Sequence, residues 1–200
     1  MTEISLITRK DNDRVMVFID LRNMTNGCKR ESGGEYIIDF EEMVNQIVDG
    51  RDLRGAYIFD SKDCFEDKCS TRFHTHLEYL GFRLSLRDNF DEELKGQKEV
   101  DVDMACEILL QAVKDSYDVA IVFSGDRDFR PVIERVQDMG KIVEVASFDV
   151  CSSPALKRSA DIYHNLSSMC ILKRKEMKTT PMDNAEIASN NVTEADVEAI

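Results

Sequence analysis

Four aspartates stand where acids could bind a metal ion. Asp20 ends the first apolar run of the chain, and Asp126 and Asp128 directly follow a later one, in the turn Ser-Gly-Asp-Arg-Asp-Phe. Asp101 begins a segment whose apolar residues recur at helical spacing. Carboxylates that are packed together repel and raise one another's pKa, and a hard divalent cation removes that penalty. If the two runs are neighbouring strands, these acids predict a site for Mg²⁺ or Mn²⁺.

Such an ion would serve the hydrolysis of phosphate esters. A water molecule that the ion retains has a lowered pKa and can attack a phosphodiester, while the ion stabilises charge on the phosphoryl oxygens. Mg²⁺ and Mn²⁺ prefer oxygen ligands, so that no His or Cys is required. The predicted metal ligands are Asp20, Asp101, Asp126 and Asp128. Asp128 is alternatively the group that positions the attacking water.

Each acid also has a structural explanation. An Asp at a strand end or a helix start commonly caps a helix by accepting hydrogen bonds from its first backbone N–H groups, which fits Asp20, Asp101 and Asp128. Asp126 follows a glycine in a tight turn and is explained less easily in that way. Four independent caps at one edge of a sheet are the less favoured explanation, so the combination favours a metal site.

Other polar residues are weaker candidates. Glu107 lies six residues beyond Asp101. That separation is about 9 Å along a helix that rises about 1.5 Å per residue, so Glu107 is expected behind the ligands or in solvent. Asp60 ends another apolar run and is expected to be a turn residue. His74 and His76 are expected to lie in solvent on a surface helix.

Strand-like and helical segments alternate along the chain. The strand-like runs are rich in Val, Ile, Phe or Tyr and lie at 15–20, 55–60, 82–86, 119–124 and 142–147. Helices are predicted after Asp39, at 66–80, at 101–115, from Asp128, and after Ser152 or Ser153. The segment 25–37 is predicted to be an exposed loop. The apolar stripe expected to be buried on the helix at 101–115 consists of Val102, Ala105, Cys106, Leu109, Leu110 and Val113.

This alternation predicts parallel βαβ units with right-handed crossovers. We therefore expect an α/β fold, a three-layer α/β/α sandwich of the Rossmannoid kind around a mostly parallel sheet of five or six strands. Ligands of such sheets gather beyond the carboxyl ends of the strands, where the crossovers change direction. Asp20 and Asp126 would meet there if their strands are neighbours.

Length and composition fit one such domain. We expect an N-terminal extension at 1–14, the domain at 15–172, and an acidic, flexible tail at 173–200, where periodicity and large apolar residues are lost. No apolar run reaches the roughly 20 residues that span a bilayer, and the N-terminus lacks a signal peptide, so a cytoplasmic protein without a membrane partner is expected. The six cysteines form no Cys-x-x-Cys pair, and a zinc site is not expected.

The formal charge of −13 argues against nucleic-acid binding through the overall field. RNA would therefore need a local basic patch. The candidates for phosphate contacts, which are alternatively ordinary surface charges, are Arg22, Lys98, Arg127 and Arg130. A homo-oligomer, and a protein partner bound through the acidic tail, are left open by the sequence.

Three blocks of the sequence resemble those of the NYN domain family, a relative of the PIN nucleases. The blocks are 19–23 (IDLRN), 98–110 (KEVDVDMACEILL) and 122–145 (VFSGDRDFRPVIERVQDMGKIVEV), and the resemblance covers about residues 15–165. More narrowly, they are similar to the LabA-like (formerly DUF88) branch of the family. The Ser-Gly-Asp turn alone is moderately specific, and its combination with the other two blocks in this order is strong.

The resemblance implies a PIN-like α/β sandwich and a ribonuclease that depends on Mg²⁺ or Mn²⁺. The acidic centre that it implies consists of Asp20, Asp101, Asp126 and Asp128. It also implies that Asn23 and Ser124 hold or orient those groups, and Glu107 falls where many members place another Asp. The sequence departs from the family at Lys98-Glu99, where Lys-Gly is common, and that departure removes no carboxylate.

Two other functional classes are open. A non-catalytic module that kept the fold and binds RNA or protein is favoured by the negative charge and opposed by the intact acidic set. A phosphatase on the same sheet is disfavoured, because the first strand continues Asp20-Leu21-Arg22 and lacks the Asp-x-Asp nucleophile of haloacid-dehalogenase phosphatases. The sequence also has no Gly-x-x-x-x-Gly-Lys-[Ser/Thr] phosphate loop.

Overall fold

The computed structural model describes residues 9–63, 68–89 and 95–174. The strands are β1 (Arg14–Asp20), β2 (Tyr36–Ile38), β3 (Asp52–Asp63), β4 (Arg83–Asn89), β5 (Val119–Phe123), β6 (Ile142–Ser147), β7 (Ile162–Asn165) and β8 (Leu172–Arg174). The helices are α1 (Leu21–Ser32), α2 (Phe40–Val48), α3 (Lys68–Tyr79), α4 (Lys95–Val113), α5 (Arg130–Asp138) and α6 (Pro154–Ser159). The five predicted strands are thus confirmed, but β3 extends three residues beyond its predicted run at each end, and β4 extends three residues beyond its own at the carboxyl end.

Six of these strands form one parallel sheet in the order β4-β3-β1-β5-β6-β7. The chain builds outward from β1 through β3 to β4, and then returns to β5 and builds outward through β6 to β7. The neighbours β1 and β5 therefore mark the point where the winding reverses, which is where such sheets leave a crevice for ligands. The short strands β2 and β8 form a separate antiparallel pair.

The sheet is covered on both faces, which confirms the predicted three-layer sandwich. Along β1, Val15, Val17 and Ile19 face one core, into which α1, α2 and α3 pack. Met16 and Phe18 face the other core, against α4, α5 and α6. Strands that are buried on both faces read as continuous apolar runs, and this is why the sequence revealed them.

Side-chain caps begin two of the predicted helices. Asp39 caps α2 by accepting a hydrogen bond from the backbone N–H of Glu42 at 3.3 Å. Ser153 caps α6 by accepting one from the N–H of Ala155 at 3.3 Å, and Pro154 occupies the first helical position. Both starting points were predicted from these residue types.

The prediction of an exposed loop at 25–37 is wrong for most of its length, because α1 covers 21–32. The helix buries Leu21, Met24 and Cys28, which are spaced along one face. Gly27 also belongs to this buried face: a Cβ there would lie 2.7 Å from the ring of Phe148. The glycine and the polar residues around it obscured a helix that depends on close packing against a distant segment.

The predicted buried stripe of the helix at 101–115 is also wrong. The helix begins earlier, at Lys95, and Val102 and Val113 are 62% and 71% exposed. Cys106 and Leu110 are exposed as well, while Ala105 and Leu109 are partly buried. The residues that face the core are Val100, Met104, Ile108 and Ala112. Because apolar residues lie on both faces of α4, spacing alone did not decide which face is buried.

The edges of the fold add elements that the sequence did not predict. The sixth strand of the sheet, β7, is short and half-buried throughout. Lys173 and Arg174, which begin the predicted tail, belong to β8, and the rest of that tail lies outside the described residues. Among the helices that the structure describes, none has the length and apolar character needed to cross a membrane.

A buried ionic network holds β6 to three other segments. Glu144 is fully buried, and its carboxylate accepts hydrogen bonds from Arg51 Nη1 at 2.7 Å and Arg9 Nη2 at 2.7 Å. His164 Nε2 lies 2.8 Å from the same carboxylate. Burial raises the pKa of Glu144, but hydrogen bonds with His164 and Arg51 outweigh burial and lower the pKa to about 2. The acid is therefore ionised in the folded protein.

We expect Glu144→Gln to lower the free energy of unfolding by about 3–5 kcal/mol, because it leaves the buried Arg51 without an anionic partner. The matched control is Asp52→Asn, which breaks the exposed pair with Arg54 and should cost at most about 1 kcal/mol. Urea denaturation at pH 7 measures both. Equal costs in the two variants would contradict a structural role for the network.

The same network sets a pH dependence. Since the pKa of Glu144 is lower in the folded protein than its usual 4.5, its contribution is complete above pH 4.5 and is lost as the pH falls toward 2. We expect the free energy of unfolding of the wild type to fall across that window, and to fall less in Glu144→Gln. Parallel pH profiles in the two proteins would contradict this assignment.

Candidate metal centre

Asp20 lies at the junction of β1, α1 and β5 and is only 2% exposed. Its Oδ1 accepts a hydrogen bond from the backbone N–H of Asn23 at 3.0 Å and so caps α1. Its Oδ2 accepts one from Ser124 Oγ at 3.2 Å. The structural explanation for Asp20 is therefore correct, and the cap also fixes the direction in which the carboxylate points.

Two side chains join the ends of β1 and β5 reciprocally. Asn23, which follows β1, uses its Oδ1 to accept a hydrogen bond from the N–H of Gly125 at 3.0 Å. Ser124, which follows β5, donates to Asp20 and accepts from the N–H of Asp126 at 3.2 Å. The two acids are thereby held at the same edge of the sheet, at the point where the winding reverses.

Gly125 lets a second segment approach this junction. A Cβ at position 125 would lie 2.3 Å from the carbonyl oxygen of Cys151, so that no side chain fits there. The Gly125 carbonyl in turn accepts a hydrogen bond from the N–H of Ser153 at 3.0 Å. The segment between β6 and α6 therefore packs directly against the turn that carries Asp126.

Asp126 caps the 3₁₀ turn Arg127–Phe129 through its Oδ1, which accepts from the N–H of Asp128 at 3.0 Å. Its Oδ2 receives no hydrogen bond from the residues that the structure describes. The side chain thus combines a structural contact on one oxygen with an open second oxygen. Asp126 was the acid for which the sequence made a cap least convincing, and the structure gives it one.

Asp101 lies in the second turn of α4, because that helix begins at Lys95. The prediction that it starts the helix is therefore wrong, and the alternative explanation that it caps the helix does not apply. Its charge acts on Asp20, as does the charge of Asp126. Burial raises the pKa of Asp20 to about 7, and these two charges add to that shift. Hydrogen bonds from Asn23 and Ser124 oppose the shift without cancelling it.

The oxygen donors and the accumulated charge suit a hard divalent cation. Within 9–63, 68–89 and 95–174, however, no three side chains of His, Cys, Asp or Glu are gathered tightly enough to hold a metal ion as they stand. These aspartates therefore suit an ion that keeps several of its waters and binds one or two carboxylates, as Mg²⁺ commonly does. They do not suit an ion that the protein encloses completely.

Asp128 lies two residues beyond Asp126, in the 3₁₀ turn that Asp126 caps. Its side chain is 78% exposed, and its Oδ1 is 3.8 Å from Arg127 Nε. The prediction that it starts the next helix is wrong, because α5 begins at Arg130 after the 3₁₀ turn that Asp126 caps. Its role as a metal ligand or as the group that positions water stays a prediction.

Glu107 is directed along α4. Its Oε1 accepts a hydrogen bond from Gln111 Nε2 at 2.7 Å, one turn further from the junction. The neighbouring acid Asp103 bonds Ser85 Oγ at 2.5 Å and Arg87 on β4. Arg87 and Ser85 lower the pKa of Asp103 although burial acts in the opposite direction. Both acids are thus engaged with neighbours outside the group formed by the three aspartates.

The predicted basic residues are dispersed around the same edge. Arg127 is 78% exposed beside Asp126, and Arg130 is bonded to Glu134 at 2.7 Å. Lys98 belongs to α4, but its side chain lies outside the described part of the chain. Their assignment as phosphate contacts stays a prediction.

Arg22 lies near an acid that the sequence assigned to a turn. Asp60 is part of β3, and its Oδ2 lies 3.1 Å from Nε2 of His74, which is buried and not in solvent as predicted. Burial raises the pKa of Asp60, while His74 and the charge of Arg22 oppose the shift. The missed signal is the three-residue spacing of His74 and Leu77, which places both on the inner face of α3.

Comparison with known proteins agrees with this architecture. The family model described as NYN domain matches residues 14–167. No curated protein matches the chain. The crystal structure of VPA0982, a protein of unknown function from Vibrio parahaemolyticus, is similar with a TM-score of 0.70 and 21% identity, over 84% of this chain and 100% of that one. Such a likeness concerns the fold alone.

A second solved structure is too distant to support an argument. PvdF of pyoverdin biosynthesis, described as a structurally unique N10-formyltetrahydrofolate-dependent formyltransferase, has a TM-score of 0.27 and 14% identity. The match covers 56% of this chain and 54% of that one.

The raised pKa of Asp20 predicts a gain in stability on removing its charge. Because its pKa in the folded protein is about 7 and its usual value is 3.8, ionised Asp20 costs stability as the pH rises through that range. We expect Asp20→Asn, which keeps an oxygen for the cap, to raise the free energy of unfolding at pH 8 by about 1–3 kcal/mol. At pH 4 the effect should be small.

Urea denaturation in EDTA at pH 4 and pH 8 measures this difference. Asp138→Asn is the control, because Asp138 is exposed on α5 and pairs with Arg135 at the surface. The same change in stability at both pH values for Asp20→Asn would contradict the raised pKa.

Proposed function

The chain belongs to the NYN domain family, and from that premise we propose that it is a metal-dependent ribonuclease that hydrolyses RNA phosphodiester bonds with Mg²⁺ or Mn²⁺. The family lies within the PIN-like nuclease superfamily. The observation that carries the proposal is the junction of β1 and β5, where Ser124 bonds both Asp20 and the backbone of Asp126. The blocks at 19–23 and 122–145 favour the LabA-like branch within the family.

The aspartates have distinct roles in this proposal. Asp20, Asp101 and Asp126 hold the cation, and their combined charge favours a divalent ion over a monovalent one. When bound, the cation supplies an activated water and stabilises charge on the phosphoryl group. Asp128, exposed next to the Asp126 turn, positions the attacking water.

Two further residues keep the acids in place. The backbone N–H of Asn23 and the hydroxyl of Ser124 engage both oxygens of Asp20, so that repulsion does not rotate its carboxylate away from the edge. This pre-organisation matters because a water or phosphate misplaced by about 1 Å can lower the rate about 100-fold.

The basic residues near the edge contact the phosphates of RNA. Arg127 is adjacent to Asp126 and is exposed. Arg22, Lys98 and Arg130 lie within three residues of an aspartate of the acidic centre in the sequence. Because the whole chain carries −13, this binding depends on local contacts and weakens as salt rises.

A non-catalytic module that binds RNA or protein is the second candidate. The specific observation in its favour is that the described acids, as they stand, do not enclose an ion. Binding of Mn²⁺ separates the two functions. A module would show no uptake of Mn²⁺ in calorimetry, and its partner binding would be indifferent to Asp126→Asn.

We expect the purified protein to cleave single-stranded or structured RNA with Mn²⁺ or Mg²⁺ and to be inactive in EDTA. Asp126→Asn keeps a side-chain oxygen for the turn and should lower the cleavage rate at least about 100-fold, the upper end of what loss of even an outer contact to a metal costs. Gel assays of labelled RNA measure both effects.

The matched control for this assay is Asp138→Asn, which removes an equal charge from the exposed face of α5. It should cleave RNA like the wild type. Cleavage that is indifferent to EDTA, or that survives Asp126→Asn unchanged, would overturn the proposal.

A further inference from the structure

A cleft of about 470 Å³ opens beside Asp126, between α1 and the segment that joins β6 to α6. On one side, α1 contributes Asn26 and Arg30, which are four residues apart and therefore lie on the same face of the helix. On the other side stand Arg127, from the turn after β5, and Ser152, from the segment after β6. The volume is in the range of sites for small ligands.

Three polar side chains of this cleft, those of Asn26, Arg30 and Ser152, lack partners within the described part of the chain. Ser152 Oγ is buried and makes no hydrogen bond with any residue that the structure describes. Arg30 and Asn26 are exposed and form neither an ion pair nor a side-chain hydrogen bond with any described residue. A buried hydroxyl without a partner is uncommon and calls for a cause, which a bound ligand would supply.

The cleft is continuous with the acidic centre. Asp126, which belongs to that centre, and Asn23, which joins the ends of β1 and β5, also line the cleft. Burial raises the pKa of the Cys151 thiol, the charge of Arg30 opposes that shift, and the charge of Asp20 adds to it. Because Arg30 and Asp126 line the same cleft, a ligand that extends from the acids toward α1 would reach Arg30.

The chemistry of the cleft indicates its ligand. Two guanidinium groups at one opening attract an anion, and their planar geometry matches two oxygens of a phosphate. A hydroxyl and an amide, which both donate and accept hydrogen bonds, suit a ribose 2′-hydroxyl, the group by which proteins distinguish RNA from DNA.

We propose that this cleft binds the nucleotide adjacent to the bond that is cleaved, with Arg30 and Arg127 on its phosphate and Asn26 and Ser152 on its ribose 2′-hydroxyl. The inference rests on the proposed function, because it assumes that an RNA strand reaches the acidic centre. It adds a direction: the strand leaves that centre across α1 and the segment between β6 and α6.

Binding is tested without turnover, in Asp20→Asn protein with EDTA, because Asp20 does not line the cleft. The probe is a labelled 12-nucleotide oligouridylate, and its affinity is followed by fluorescence anisotropy at several salt concentrations. We expect Arg30→Gln to weaken binding about 5- to 20-fold and to reduce the slope of log K against log salt by about 0.7, the loss of one phosphate contact.

The matched control is Arg54→Gln, which removes an exposed arginine at the opposite end of the sheet. It should change the affinity less than about twofold, within the usual small effect of a distant charge. Equal weakening by Arg30→Gln and Arg54→Gln would mean that net charge alone is responsible, and the cleft would then not be the site.

Ser152→Ala separates binding from folding. We expect it to weaken the oligouridylate about 3- to 10-fold, the loss of one hydrogen bond, and to leave the deoxy counterpart unchanged. Its melting temperature should stay the same or rise, because the hydroxyl that it removes has no partner among the described residues. A lower melting temperature with unchanged discrimination between RNA and DNA would overturn the assignment.

Cleavage by otherwise wild-type protein distinguishes this inference from the function on which it rests. If the protein cleaves RNA but Arg30→Gln changes neither affinity nor KM, the cleft assignment is wrong and the nuclease stands. If RNA binding depends on Arg30 and Ser152 while no RNA is cleaved, the cleft is supported and the catalytic proposal fails. If no RNA is bound, both are overturned.

Discussion

The reciprocal hydrogen bonds between the ends of β1 and β5 are the constraint on which the site depends. Asn23 reaches across to Gly125, and Ser124 reaches back to Asp20 while it holds the backbone of Asp126. Without them, two acids at one sheet edge would be free to separate and hydrate. With them, the fold keeps the acids together, and burial, with the charges of Asp101 and Asp126 adding to it, raises the pKa of Asp20 to about 7.

Capping and metal binding are compatible uses of the same side chain here. Asp20 and Asp126 each give one oxygen to the first N–H groups of a helical turn, and the cap fixes the rotamer from which the other oxygen faces the edge. A helix cap at such an acid is therefore no argument against metal binding by the same side chain. Asp101 and Asp128 do not begin a helix, since Asp101 lies within α4 and α5 begins two residues after Asp128.

The parallel sheet could be predicted because strands buried on both faces leave unmistakable apolar runs. Features that depend on contacts between distant segments could not. The helix α1 packs closely because Gly27 has no side chain at its contact with Phe148. The helix α4 carries apolar residues on two faces, and only one of these faces packs against the sheet. The Asp60–His74 pair joins a strand to a helix, and its residues look individually like surface groups. Asp20 and Asp126 could be placed at one edge of the sheet, because a strand end is fixed by the same pattern that reveals the strand.

The close approach at Gly125 gives the site a mechanical property. Since the carbonyl of Cys151 lies where a Cβ of residue 125 would be, the two backbone segments are in direct contact, with no side chain between them. A displacement of the segment 149–153 therefore moves the turn that bears Asp126 with it. A ligand that occupies the cleft beside this segment can therefore alter the position of Asp126 relative to Asp20.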